Sequence, residues 1–220
     1  TALGTVVKSG GTLTFVAGSI ASGAEVSSGG HVQLPNLTSS FGVWSAGQAN
    51  TIEGVTVDPG AIFSLNVVAG GSISSFAIGS GSILYVSSGG VVAGTVISIG
   101  ASDYIYSGGA ASGTVVSAGG SEVISSGGID IGATIRGGGL QTVNSAAVAS
   151  GTLVRSGGEQ VVDPGAVASG TGGRSCGSEV FSAGGIAIDT VVSSGGQLIV
   201  EQGGIAGGTR FGNGGTQYVY

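Results

Sequence analysis

Residues 113–128 read Gly-Thr-Val-Val-Ser-Ala-Gly-Gly-Ser-Glu-Val-Ile-Ser-Ser-Gly-Gly, two apolar stretches each closed by a glycine pair. The same layout recurs outward from there. Small-residue pairs stand at Gly81-Ser82, Gly100-Ala101, Gly119-Gly120, Gly138-Gly139, Gly157-Gly158, Cys176-Gly177, Gly195-Gly196 and Gly214-Gly215, each 19 residues after the last. A second series follows the first by eight residues, at Gly89-Gly90, Gly108-Gly109, Gly127-Gly128, Ala146-Ala147, Gly165-Ala166, Gly184-Gly185 and Gly203-Gly204. A period this constant is the mark of a solenoid, in which each unit buries its apolar face only against its neighbours.

Glycine permits positive φ and close backbone approach, so two pairs per unit predict two sharp corners joined by strands of about 4–6 residues. Three apolar files keep the same register. One runs Val86, Ile105, Ile124, Val143, Val162, Phe181, Val200, Val219; another Val91, Ala110, Ile129, Val148, Val167, Ile186, Ile205; a third Ile97, Val116, Ile135, Val154, Gly173, Val192, Phe211. Stacked at strand spacing, these files predict a continuous aliphatic core in a rod roughly 50–55 Å long. The fold expected is all-β: a right-handed parallel β-helix (solenoid) of 19-residue coils, the hand resting on the general rule for parallel crossovers.

The rhythm divides the chain. Residues 1–220 read as a single β-helix fragment of a longer protein, with regular coils over 70–220 and an irregular or inserted segment at 31–69 that holds His31, Pro35, Trp44 and the Asp58-Pro59-Gly60 turn. That segment is either an insertion tolerated at a corner or a loop that meets a partner.

Composition narrows the function. Of 220 residues 49 are Gly and only 7% are charged, while 41% are hydrophobic, which separates the chain from disordered glycine-rich linkers. Five basic against eleven acidic residues leave no cationic surface for nucleic acid. One cysteine, Cys176, and one histidine, His31, cannot build a disulfide or a zinc cluster within the chain. Neither a membrane span nor a signal peptide is legible. No cofactor is expected. His31 lacks the spatial partners and the motif of a nucleophile triad, and the acids are scattered singly over the coils, so the chain reads as no enzyme.

A few columns carry specific chemistry. Arg136, Arg155 and Arg174 stand two residues before successive corner pairs, a strip at about 5 Å intervals suited to an acidic glycan, a phosphate or a partner's carboxylates, or else a solvated edge. Cys176 replaces a corner glycine and reads as a small residue in a tight slot. The threonines Thr95, Thr114, Thr152, Thr171, Thr190 and Thr209, interrupted by Ala133, suggest a hydroxyl ladder and, more remotely, an ice-binding row. One column conflicts with alternation. Leu84, Asp103, Glu122, Gln141, Gln160, Glu179, Leu198 and Gln217 share the parity of the first apolar file. Because unpaired buried acids are costly, a bend that turns Asp103 and Glu122 to solvent is expected, with the glutamines open to either placement.

The unit at 113–128, and Gly-Gly-Glu-Gln-Val-Val at 157–162, resembles the AIDA-type repeat found in passenger domains of self-associating autotransporter adhesins. The resemblance is strong over 70–220, good over 1–30 and poor over 31–69. It implies a Gram-negative cell-surface or extracellular location, with anchoring through a C-terminal β-barrel absent from this chain. It also implies self-association between passengers or binding to host or bacterial surface glycans, with cell aggregation and biofilm formation. A glycosyltransferase that modifies serines is a further implied partner, and corner residues such as Ser125, Ser126, Ser193 and Ser194 are candidate acceptors. The alternative is a polysaccharide-binding or polysaccharide-cleaving β-helix, with ice binding behind it.

Overall fold

The computed structural model describes residues 2–15, 21–22, 24–37, 40–44, 50–52, 55–57, 60–79, 81–155, 157–174 and 177–220, with backbone alone at 2, 21–22, 36–37, 40–44, 50–52, 55–57 and 174. The described residues form strands and turns without a helix, and successive coils pair in parallel as a β-helix. The 19-residue period is the register itself: Glu122 lies beside Asp103 on one side and Gln141 on the other.

Each regular coil is triangular. The unit around residue 120 contributes the strands Ser121–Ile124, Ile129–Ile131 and Thr134–Ile135, one to each wall. The first wall is an 11-stranded sheet that runs from Thr12–Thr14 to Thr216–Val219. The second and third walls are joined through one longer strand, Ser72–Ile78, which pairs with Val91–Ala93 through its start and with Val96–Ile97 through its end. The two expected corners are present, and a third had been overlooked. It is made by one residue in the left-handed region, at Ser75, Gly94, Gly113, Gly132, Gly151, Gly170, Asp189 and Gly208, again 19 apart. The third corner shortens the strands to four, three and two residues.

The second member of each corner pair decides which residues face inward. It is buried against the coil before it, or half-buried at Gly204 and Gly215: a Cβ on Gly128 would lie 2.5 Å from the Ile105 carbonyl oxygen. Alternation counts from that point, so Asp130 faces in and Ile129 faces out. This corrects the second apolar file. Val91, Ile129, Val148 and Ile205 are exposed and Ala110, Val167 and Ile186 half-buried, whereas the inward file one residue later is Val92, Ala111, Asp130, Ala149, Ala168, Ala187. The first and third files do form the core, from Val86 to Val200 and from Ile97 to Val192, while Phe211 and Val219 are exposed.

Between Leu37 and Ile62 the period is interrupted. Ile62 lies beside His31, a spacing of 31, and Val55 likewise lies beside Ala24. Within this longer coil the strands Asn50–Ile52 and Val55–Val57 pair antiparallel, and Ser40–Trp44 rejoins the second wall with Trp44 beside Phe76. His31 opens the first-wall strand His31–Leu37, and Asp58 and Pro59 lie outside the described residues. From Ser64 onward the 19-residue register holds.

Among the described residues, four other than glycine occupy positive φ: Ser75, Ala146, Asp189 and Ser194. Ala146, at φ 60°, replaces a corner glycine and has no side-chain hydrogen bond to offset its strain. Changing Ala146→Gly is therefore expected to stabilise the rod by about 0.5–1 kcal/mol, read as a higher denaturant midpoint at unchanged m-value. An unchanged or lower midpoint would show that the corner is unstrained.

Candidate functional site

Two constellations stand out, one on the outer surface and one sealed inside. On the outside, Arg155 pairs in register with Arg174, and Arg136 begins the row one coil earlier, its backbone N–H donating to the Val116 carbonyl. The Arg136 and Arg155 side chains are exposed, and that of Arg174 lies outside the described residues. Cys176 lies outside them too. The corner serines follow one pattern: Ser126 and Ser194 are exposed at turn tips, with Ser125 and Ser193 half-buried before them. The Ser125 and Ser193 carbonyls accept the N–H of Gly128 and Gly196, at 2.8 and 3.0 Å, which closes each corner and leaves both hydroxyls clear of the backbone ladder.

The sequence reading missed a neighbouring aromatic group. Tyr85, Tyr104 and Tyr106 stack with centroids 5.6–6.4 Å apart and planes within 23°. Tyr85 and Tyr104 are register partners on the outer face of the first wall, and Tyr106 follows Tyr104 at the same parity. Their signal was legible as aromatics recurring at 19 and 21 residues.

The inside holds the largest departure from expectation. Asp103, Glu122, Gln141, Gln160 and Glu179 do not bend out to solvent; they are buried in the first wall. The strands that carry them are four residues long and alternate without a bend, so their second and fourth residues both point inward. The file is a hydrogen-bonded ladder at its centre. Gln141 Nε2 donates to Glu122 Oε2 at 2.6 Å and to Asp130 Oδ2 at 2.9 Å, while Gln160 Nε2 donates to Gln141 Oε1 at 2.6 Å. Thr152 and Thr171 add longer bonds to the oxygens of Gln141 and Gln160, at 3.4 and 3.3 Å. The threonine file thus faces this column, with Thr95, Thr114, Thr152, Thr171 and Thr190 all buried, and no ice surface could reach them.

The acids at the two ends of the ladder are poorly served. Among the described residues, both oxygens of Asp103 and of Glu179, Glu122 Oε1 and Asp130 Oδ1 have no hydrogen-bond partner. No Lys, Arg or His is among the buried residues described. Burial, followed by the charge of Glu122, pushes Asp103 well above the ordinary carboxylate range. Burial raises Glu122 to about 7 against the opposing bond from Gln141, and raises Asp130 to about 9 with Glu122 adding to the push. Burial raises Glu179 to about 8 against a smaller opposing contribution from Thr171, whose hydroxyl also donates to Gln160. Charge is what the site cannot hold. Among the described residues no group of three or more His, Cys, Asp or Glu is arranged for a metal ion.

No protein-family model and no curated protein matches the chain. A solved structure does: a fragment of TibA spanning 55–350, hyper-glycosylated by TibC, is 28% identical, with a TM-score of 0.64 over 99% of this chain and 81% of that one. The chain is similar to that glycosylated fragment along nearly its whole length.

Proposed function

We propose that this rod is the passenger of a bacterial surface adhesin, a non-enzymatic scaffold that associates with further copies of itself and so promotes cell aggregation and biofilm formation. The observation that carries the reading is the likeness to the TibC-glycosylated TibA fragment across 99% of the chain, taken together with the resemblance to the AIDA-type repeat. A cell-surface or extracellular location is part of the same reading. Among the described residues no helix is long and apolar enough to cross a membrane, which leaves anchoring by a β-barrel open. The burial of the acidic cluster supports the non-enzymatic part, since those carboxyls are sealed from any substrate.

Association is assigned to two features of the outer surface: the aliphatic ridge that includes Val91, Ile129, Val148 and Ile205, and the row Arg136, Arg155, Arg174. Ser125, Ser126, Ser193 and Ser194 are proposed acceptors for a glycosyltransferase, by similarity to the TibC-modified fragment. Reversing Arg136, Arg155 and Arg174 to Glu is expected to abolish clumping of cells that display the rod and to remove its salt-sensitive, concentration-dependent association in sedimentation. Unchanged clumping would remove the strip from the mechanism; a rod monomeric at high concentration, on cells that never clump, would end the self-association reading. The stacked tyrosines favour a second reading, binding of a polysaccharide, and retention on immobilised glycans that is lost on Tyr104→Ala would support it.

A further inference from the structure

We propose that Asp103, Glu122 and Asp130, with the Gln141 amide, form a proton-gated seam in the wall of the rod, closed while the carboxyls are neutral and opened locally when they lose their protons. The seam is independent of the adhesin reading, because it rests on the inside of the coils alone.

Three observations converge on it. First, the three acids meet in two successive coils: Asp103 and Glu122 are register partners, and Asp130 approaches them from the second wall through the amide it shares with Glu122. Second, the shortage of donors is local. Gln141 spends both N–H groups on this cluster and none reaches Asp103. Third, among the described residues no direction of approach carries a counter-charge. Along the first wall the file is bounded by Leu84; in the second wall Asp130 stands between Ala111 and Ala149; in the third the facing positions are Thr95, Thr114 and Ala133, with Ile97, Val116 and Ile135 alongside. Among the described residues Glu122, Asp103 and Asp130 are therefore one another's titratable company, and the exposed Arg136 and Arg155 stand on the outer surface.

The arrangement has a definite pH sign. In the unfolded chain these carboxyls lose their protons near pH 4, whereas in the rod burial holds them on to higher pH, so folding takes up protons. The resulting stability is full below pH 4 and is lost as pH rises through about 7 and 9, the folded values of Glu122 and Asp130. Because each coil touches only its neighbours, the loss starts where the charges appear and need not unfold the whole rod. Glu179 titrates similarly but alone, three coils further on, between Gln160 and Leu198.

The test compares the wild-type chain with the uncharged isosteric variant Asp103→Asn, Glu122→Gln, Asp130→Asn, and with Glu179→Gln. Melting temperature is read from pH 5 to 9, and amide exchange, corrected for its intrinsic pH dependence, is read in the strands Ser102–Ile105 and Ser121–Ile124. The wild type is expected to lose roughly 10 °C over this range and to exchange faster in those two strands. The triple variant should lose less than half as much and keep them protected, with Glu179→Gln leaving their opening intact. A wild type whose melting temperature is flat, or a triple variant that retains the whole fall, overturns the seam. Should the triple variant not fold, Asp103→Asn alone and a direct carbon NMR titration of the carboxyls decide it: ordinary carboxylate midpoints in the folded rod would refute the proposal.

Discussion

Gln141→Leu is expected to cost about 3–5 kcal/mol in denaturant unfolding at neutral pH, although leucine is the residue that the same column carries at Leu84 and Leu198. Size is thereby nearly controlled. What the variant removes is polarity: Glu122 and Asp130 lose their shared donor, and the Gln160 amide and the Thr152 hydroxyl lose their acceptor, all in places closed to water. Each buried polar group left without a partner costs about 1–3 kcal/mol, and four are affected together, Thr152 least because its bond is the longest. A loss below about 1 kcal/mol would mean that the amide is not engaged as the ladder requires. Adding Glu122→Leu to the variant should recover part of the loss, since an acid is then no longer stranded; a strictly additive double variant would deny the coupling.

Phe181→Ala is expected to be as damaging by a different route. The phenyl ring is fully buried and stands in the first-wall file between Val162 and Val200. Flat strands of neighbouring coils cannot close over the space it leaves, so lost transfer energy and cavity add to about 3–5 kcal/mol. Phe181→Val, which matches the rest of the file, should cost clearly less. Equal costs for the two variants would show that the file closes over the space freely.

Most of the rod was legible in the sequence, and the failures share one cause. Period, register and the files through Ile124 and Ile135 follow from stacking, which repeats any local preference in every coil. The second file was misplaced by one residue because the apolar character of Val91 and Ile129 matched an inward column, while the phase is set by the inward glycine before each of them. The third corner was equally visible in Gly94, Gly113, Gly132 and Gly151, but a single glycine is a weaker signal than a pair. The acids were turned outward on an energetic argument that holds for charged carboxylates; neutral, partly hydrogen-bonded ones can be buried at lower cost. Of the outer features, the arginine row follows from spacing, whereas the tyrosine stack depends on side-chain directions across two coils.

The ladder also gives the rod a reading direction. Gln160 hands a hydrogen to Gln141, and Gln141 hands one to Glu122, so each amide gives toward the N-terminus and receives from the C-terminal side. Coils are consequently not interchangeable bricks. An amide coil can follow either an amide or an acid, but an acid placed after another acid, as Glu122 is after Asp103, has no amide N–H to offer its predecessor and, once its proton is lost, no donor at all. Duplication and shuffling of such units obey a grammar written in the core, and the junction between two acids, Asp103 and Glu122, falls inside the proposed seam.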